Sequence, residues 1–222
     1  MLAPADQTLQ NLFAGMFDLV GDQIADALTA MQDADDVLSH KVLAQDDLVD
    51  SLEMKIDKQC AAALASGHDG EALRYFIAAI KVNTDLERIG DHAKNLAKVL
   101  GRSAGLPANV RHMLVEDVGE PARTVFHQAQ QAFSEPDVKL AWSIVENDKQ
   151  VNRRYKSFLQ EALAFYEVQG MSADVLASLL RMTRSIERIA DHAVNIAEST
   201  IYWLEGLDVR HRGLRRSDAH PG

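Results

Sequence analysis

Residues 86–97 read Leu86-Glu-Arg-Ile-Gly-Asp-His-Ala-Lys-Asn-Leu-Ala97, and 100 residues later the chain writes Ile186-Glu-Arg-Ile-Ala-Asp-His-Ala-Val-Asn-Ile-Ala197. Eight of the twelve positions are identical, and three of the others exchange Leu for Ile or Gly for Ala, so the stretch is an internal repeat. Working outward at the same displacement, Gly70 falls on Gly170, each opening a segment that runs without Pro into the motif. Further upstream the displacement becomes 102 residues: Asp46, Val49 and Asp50 fall on Asp148, Val151 and Asn152.

The apolar residues around the repeat recur with helical period, and no stretch sustains the alternation of a strand. The pattern predicts helices over about 9–31, 36–65 and 71–100, and again over about 110–133, 137–166 and 172–204. Breaks fall at Gly67 and Gly70, between Gly101 and Pro107, at Pro136 and at Gly170. The expected fold is therefore all-α, two tandem antiparallel three-helix bundles: residues 1–105, residues 106–208 and a basic flexible tail over 209–222. That tail carries Arg210, Arg212, Arg215 and Arg216.

Composition removes several classes of function. The 222 residues are 47% apolar and 25% charged with only five Pro, which is the make-up of a folded globular chain. The longest apolar run, Cys60 to Ala65, is far short of the ~18 residues of a membrane span. No secretory leader is evident at Met1-Leu-Ala-Pro-Ala-Asp6, so a cytoplasmic location is expected. A lone cysteine, Cys60, forms neither a disulfide nor a thiolate metal site and is expected in the core. The formal charge of −10 disfavours nucleic acid as a partner, because phosphate neutralisation by Lys and Arg supplies most of that affinity. The acidity is concentrated: Asp18 to Asp50 holds nine acids and one base, Lys41.

Plotted at about 100° per residue from Leu86, the core arc of the third helix contains Ile89, Ala93, Leu96 and Ala97, while Glu87 and Asp91 fall at about 100° and about 140°. These two acids are expected to point outward one turn apart, and Glu187 and Asp191 repeat the geometry, with Glu198 on the same stripe. On the second helix Asp46, Asp50, Glu53 and Asp57 form a further stripe beside the core. Like charges one turn apart repel by a few tenths of a kcal/mol per pair, so a counter-charge is expected. A divalent or trivalent cation meets that need, because carboxylates at i, i+4 on one helix and on its neighbour supply several oxygens. The competing reading is a solvated face neutralised by Arg88, Lys94 and Lys98. In the second copy Asp148 persists, but Asn152, Tyr155 and Leu159 replace Asp50, Glu53 and Asp57, which predicts a weaker or differently built site.

His92 and His192 fall near the core boundary, where packing or an interhelical hydrogen bond is expected rather than metal ligation. Arg88 and Arg188 are expected to pair with acids across the bundle. The chain lacks a Gly-rich phosphate loop, a nucleophile elbow, a dinucleotide fingerprint and the Glu-x-x-His pairs of a di-iron oxidase. No catalytic or cofactor-ring-binding residue is assigned.

The repeated Glu-Arg-Ile-Gly/Ala-Asp-His-Ala-x-Asn-Leu/Ile-Ala, together with Asp46 to Asp57, Asp148 to Tyr155 and Ile201 to His211, resembles the signature of the PhoU family of phosphate-uptake regulators. The resemblance implies paired three-helix bundles whose acids hold surface metal ions. Glu87 and Asp91 would serve one site, Glu187 and Asp191 the other, with Asp46, Asp50 and Asp148 contributing from neighbouring helices. Iron, zinc, manganese and magnesium are the candidate ions. Asn152, beside Lys149, departs from the family pattern. The resemblance further implies a non-enzymatic, commonly dimeric adaptor in the cytoplasm. It would stand between the ATPase subunit of the phosphate ABC transporter and a membrane sensor histidine kinase, meet the membrane only through them, and restrain uptake and the phosphate-starvation regulon. The alternatives are a metal-dependent phosphoesterase, which the absence of an evident general acid or base disfavours, and a metal-free helical scaffold.

Overall fold

A computed structural model describes residues 4–100, 106–169 and 172–210, and these contain helices and no strand. The helices are α1 (Pro4–Asp33), α2 (Asp36–Ala44), α3 (Asp46–Ala65), α4 (Gly70–Leu100), α5 (Ala108–Leu114), α6 (Glu120–Ser134), α7 (Val138–Gln169) and α8 (Ala173–Glu205). No helix among the described residues is long and apolar enough to cross a membrane.

Two long helices expected from periodicity are interrupted. The second is broken at Gln45, dividing α2 from α3. The fourth contains a π-helical turn, Val115–Gly119, between α5 and α6. Pro121, in the first turn of α6, accounts for the second break. Its ring cannot donate to the carbonyl four residues back and clashes with it, and one widened turn relieves both. Gly119, the last residue of that turn, lies under α1: a Cβ there would stand 2.6 Å from Cδ2 of Leu28.

Capping chemistry follows the 102-residue displacement seen in the sequence. Asp35 accepts from the backbone of Val37 and Leu38, and Asp137 from that of Lys139 and Leu140, so each second helix starts on the same aspartate. α8 starts on Ser172 and ends on Gly206, whose φ of 72° closes the helix in the left-handed region.

Each repeat forms a three-helix unit, α1 with α2/α3 and α4, then α5/α6 with α7 and α8. The two units share one continuous apolar core. The most extensive contact in the molecule is between α4 and α8, the helices carrying the two copies of the motif. At one end an aromatic cluster draws on both units: Tyr75 lies 4.8 Å from Trp203, and Phe13 lies 5.1 Å from Phe133, ring centre to ring centre. Cys60 is buried in the core, and burial pushes its thiol up to about 12. Val209, assigned by the sequence reading to the tail, is buried, and Arg210 pairs with Asp208. Arg212, Arg215 and Arg216 lie outside the described residues.

Candidate functional site

The carboxylate stripes lie in two grooves, one between α3 and α4 and one between α7 and α8. In the first, Glu87 and Asp91 have side chains only 19% and 31% exposed. They do not stand opposite the core as the helical plot predicts. The face of α4 turned to water carries Thr84, Arg88, Asn95 and Lys98 instead. α4 is packed on two sides, by α1 and α3 and by α8, so its buried arc is wider than a single apolar stripe indicates.

Gly90 sets the closeness of that packing. A Cβ on it would lie 3.1 Å from Oε1 of Gln23 on α1 and 3.5 Å from Val49 on α3. Gln23 is wholly buried, and neither of its amide atoms has a hydrogen-bond partner. Asn83, also wholly buried, ties α4 to α3 by donating to Asp57 Oδ1 (2.8 Å) and to the Glu53 carbonyl (3.0 Å). Both are polar residues within apolar stripes, a signal the sequence contains but that periodicity passes over.

Lys94 decides the electrostatics of the first groove. Its ammonium lies 2.6 Å from Asp46 and 2.6 Å from Asp91, bridging the two helices where a bound cation would otherwise be expected. Burial pushes Asp91 upward, but the hydrogen bond and charge of Lys94 outweigh it and hold the carboxyl below its ordinary value. Lys94 itself rises to about 12: desolvation opposes, and the two carboxylates prevail. Two acids in the same groove are raised, and Arg88 offsets only part of the effect. Burial raises Glu53 and then Asp57 and Asp50 add to it, while Glu87 is raised by burial and by Asp91. Asp50 is exposed.

In the second groove Val194 stands at the position of Lys94, so that α8 supplies no ammonium there. Asp191 is raised by burial and then by Glu187, with Asp148 adding and Arg188 opposing. Glu187 is held by Arg184 at 2.8 Å. Tyr155, at the position of Glu53, hydrogen-bonds within this pair, and burial followed by Glu187 raises its phenol. The side chains of Lys149 and Asn152 lie outside the described ones. Arg88 and Arg188 do not reach across the bundle. Arg88 pairs with Glu87 (3.3 Å) and Asp91 (3.6 Å), and Arg188 with Asp191 (3.2 Å), each on its own helix.

As a cation site the donor chemistry fits, since hard ions take carboxylate oxygens, and Glu53, Glu87 and Asp191 stay raised although Arg88 and Arg188 offset part of the effect. Among the described residues, however, no three acidic, His or Cys side chains are gathered as a formed metal site.

The two histidines meet between α4 and α8. Their rings stack at 5.7 Å, and burial, then the neighbouring His192, lowers His92 to about 4. Asp85 of α4 accepts from Nδ1 of His192 at 2.8 Å and from Nδ2 of Asn195 at 3.1 Å. Sequence reading expects such packing for the histidines but misses Asp85, whose only signal is that the repeat places Ser185 at the same position.

Glu198 lies in the field of Asp148 and Asp85. Burial lifts its carboxyl to about 7, Arg210 opposing and Asp208 adding. The folded protein thus keeps a proton that the unfolded chain releases near 4.5. Stability is greatest below that value and falls as pH rises to about 7. After screening at a partly exposed group, Glu198→Gln is expected to be more stable than wild type at pH 8 by about 1–2 kcal/mol, the gain vanishing near pH 4.5. Parallel urea melts at the two pH values check this, and equal stability at pH 8 would contradict the burial assigned to Glu198.

The geometry defines a duplicated helical-bundle protein with an acid-lined groove in each half. The PhoU domain model matches residues 13–100 and 115–200, and the chain belongs to the PhoU family. It is 36% identical to the phosphate-specific transport system accessory protein PhoU homolog of Pseudomonas putida, over 98% of this chain and 85% of that protein. It is 29% identical to the PhoU of Escherichia coli K12, over 93% and 86% respectively. Among solved structures, PhoU from Pseudomonas aeruginosa superposes with a TM-score of 0.83 at 31% identity, covering 91% of this chain and 98% of that one. The phosphate transport system regulatory protein PhoU from Streptococcus pneumoniae superposes with a TM-score of 0.81 at 25% identity, covering 91% and 96%.

Proposed function

We propose that the chain is a non-enzymatic regulator of phosphate homeostasis. It works in the cytoplasm as a homodimeric adaptor between the ATPase subunit of the phosphate ABC transporter and a membrane sensor histidine kinase, and it holds down phosphate uptake and the phosphate-starvation regulon. The observation that carries this reading is the family relationship across both repeats, to proteins named as accessory to the phosphate-specific transport system. The acid grooves supply the docking chemistry: Glu87 and Asp91 with Asp46 and Asp50, and Glu187 and Asp191 with Asp148, hold a cation in each half. In the first groove Lys94 would have to release Asp46 and Asp91, which it now holds at 2.6 Å each, for them to serve as ligands. A bound cation would supply positive charge on an otherwise acidic surface and neutralise acids that burial has raised.

Elemental analysis of gently purified protein, with affinity capture of the transporter ATPase and the kinase, tests the proposal. Wild type is expected to retain a transition metal or Mg and to capture both partners. Asp91→Ala and Asp191→Ala are each expected to lose metal from one groove while keeping the helical circular dichroism spectrum. A bound cation is expected to stabilise the fold by mass action, by about 2.7 kcal/mol at a hundred times Kd, and so to raise the melting temperature. Failure to capture either partner would remove the adaptor role. Hydrolysis of phosphoesters by the metal-loaded protein that disappears in the Glu87→Ala, Asp91→Ala double variant would replace it with an enzyme.

A further inference from the structure

The seam between α4 and α8 has two sides related by the repeat, and they are chemically opposite. On one side Asp85 accepts from His192 and Asn195, and the segment after α8 lies beside Lys81 and Glu198: Val209 is buried, Asp208 lies in the field of Lys81, and Arg210 in that of Glu198. Asp85 fills the donors of this side with a carboxylate of the chain itself. On the other side three corresponding positions are changed toward positive charge and none toward negative. Ser185 stands for Asp85, Lys98 for Glu198, Arg181 for Lys81 and Arg184 for Thr84, while His92 and Asn95 are retained. These residues line an open cleft of about 490 Å³ with Val99 and Leu180 as its apolar walls.

The cleft holds three cationic side chains and no carboxylate. Arg184 is paired with Glu187 at its edge, and Arg181 donates to Ser178. Neither Lys98 nor Arg181 forms an ion pair with a carboxylate among the described residues. In a chain of net charge −10, two of the three cations gathered here, Lys98 and Arg181, thus face solvent without a carboxylate partner among the described residues. The neutral groups beside it, the Asn95 amide, the Ser185 hydroxyl and the His92 ring, have hydrogen atoms to donate. A multiply charged oxyanion accepts from such a set, and guanidinium forks suit phosphoryl oxygens in particular. The volume exceeds what an inorganic anion fills and lies in the ~300–1,000 Å³ range of sites for small organic ligands.

We infer that the α4–α8 cleft at Ser185 binds a phosphorylated small molecule with an apolar body, of the nucleoside polyphosphate class: the phosphoryl groups lie on Lys98, Arg181 and Arg184, and the ring lies against Val99 and Leu180. The carboxylate of Asp85 plays the same part internally on the opposite side, so the site exists because the second copy of the repeat lacks that acid. This inference stands on the cleft alone and does not depend on the adaptor role.

Isothermal titration calorimetry of the full chain, freed of metal with EDTA, tests it with ATP, adenosine and inorganic phosphate as separate probes. ATP is expected to bind saturably, and adenosine and phosphate each at least ~10-fold more weakly, since each makes only part of the contacts. Ser185→Asp supplies the missing carboxylate to His92 and Asn95 and is expected to weaken ATP at least ~10-fold by filling the donors and repelling the anion. Lys98→Glu, on the exposed face of α4, is expected to do the same without touching the seam. Lys58→Glu on α3 changes net charge equally and is expected to leave binding as it was. The inference is overturned if wild type shows no saturable binding of ATP, or if folded Lys98→Glu binds it as wild type does. Phosphate binding as tightly as ATP would overturn the organic body.

Discussion

Trp142→Ala is expected to cost about 3–5 kcal/mol of folding stability, the usual penalty for emptying the space of a fully buried indole. Trp142 is 1% exposed and is the largest of the fully buried side chains. It lies in the first turns of α7, and its Nε1 donates to Glu205 Oε2 of α8 at 2.9 Å, so the ring packs the second unit while its one polar atom pins the two helix ends together. The two contributions separate by substitution. Trp142→Phe keeps most of the apolar volume and loses the hydrogen bond, for which about 1 kcal/mol is expected beyond the lost volume. In urea the midpoint should fall with the slope unchanged, and in a chain of this size the melting temperature should drop by roughly 6–20 °C for Trp142→Ala. A loss below about 1 kcal/mol would mean that the indole is not part of the packed core.

The second large effect is expected at Asp85. Its carboxylate is 14% exposed and accepts from His192 and Asn195 across the seam between the repeats. Asp85→Ala removes both hydrogen bonds and leaves two half-buried donors unmatched, and a loss of about 2–3 kcal/mol is expected. Asp85→Asn retains an acceptor oxygen and should recover about half of it. Hydrogen exchange distinguishes this from general weakening: amides of α4 and α8 near His92 and His192 should lose protection first, while those of α2 keep theirs. Uniform loss across all helices, or a change within about 0.5 kcal/mol, would show that the carboxylate does not hold the seam.

Much of this architecture is written plainly in the chain. The repeat at Glu87 and Glu187 announces the duplication, the 3.6-residue period gives the helix class, and the 102-residue displacement of Asp46 and Asp148 reappears in the helix-capping pair Asp35 and Asp137. The breaks were less legible. Pro121 is visible in the sequence, but its consequence is a π turn rather than a stop, because buried Val115 and Val118 keep that segment on the core. The direction of Glu87 and Asp91 was misread, since a projection onto one helix contains no information about how many neighbours that helix has.

Pairings between chemically unlike partners distant in the chain were not legible at all. Lys94 with Asp46, and Asp85 with His192, join residues 48 and 107 positions apart. What the sequence does offer is the mismatch between copies. Lys94 against Val194, Asp85 against Ser185 and Glu198 against Lys98 mark the places where the two halves have different tasks. Comparing the copies with each other is therefore more informative than comparing either with an average helix.

The stacked histidines and the broad α4–α8 contact also bear on how such a chain arises. A polypeptide holding one copy alone would leave bare the strip that α8 now covers, and its simplest remedy is a twin, seated with imidazole against imidazole about a two-fold axis. With both copies in one chain the matching positions need not be alike, and each flank of the seam carries its own charge.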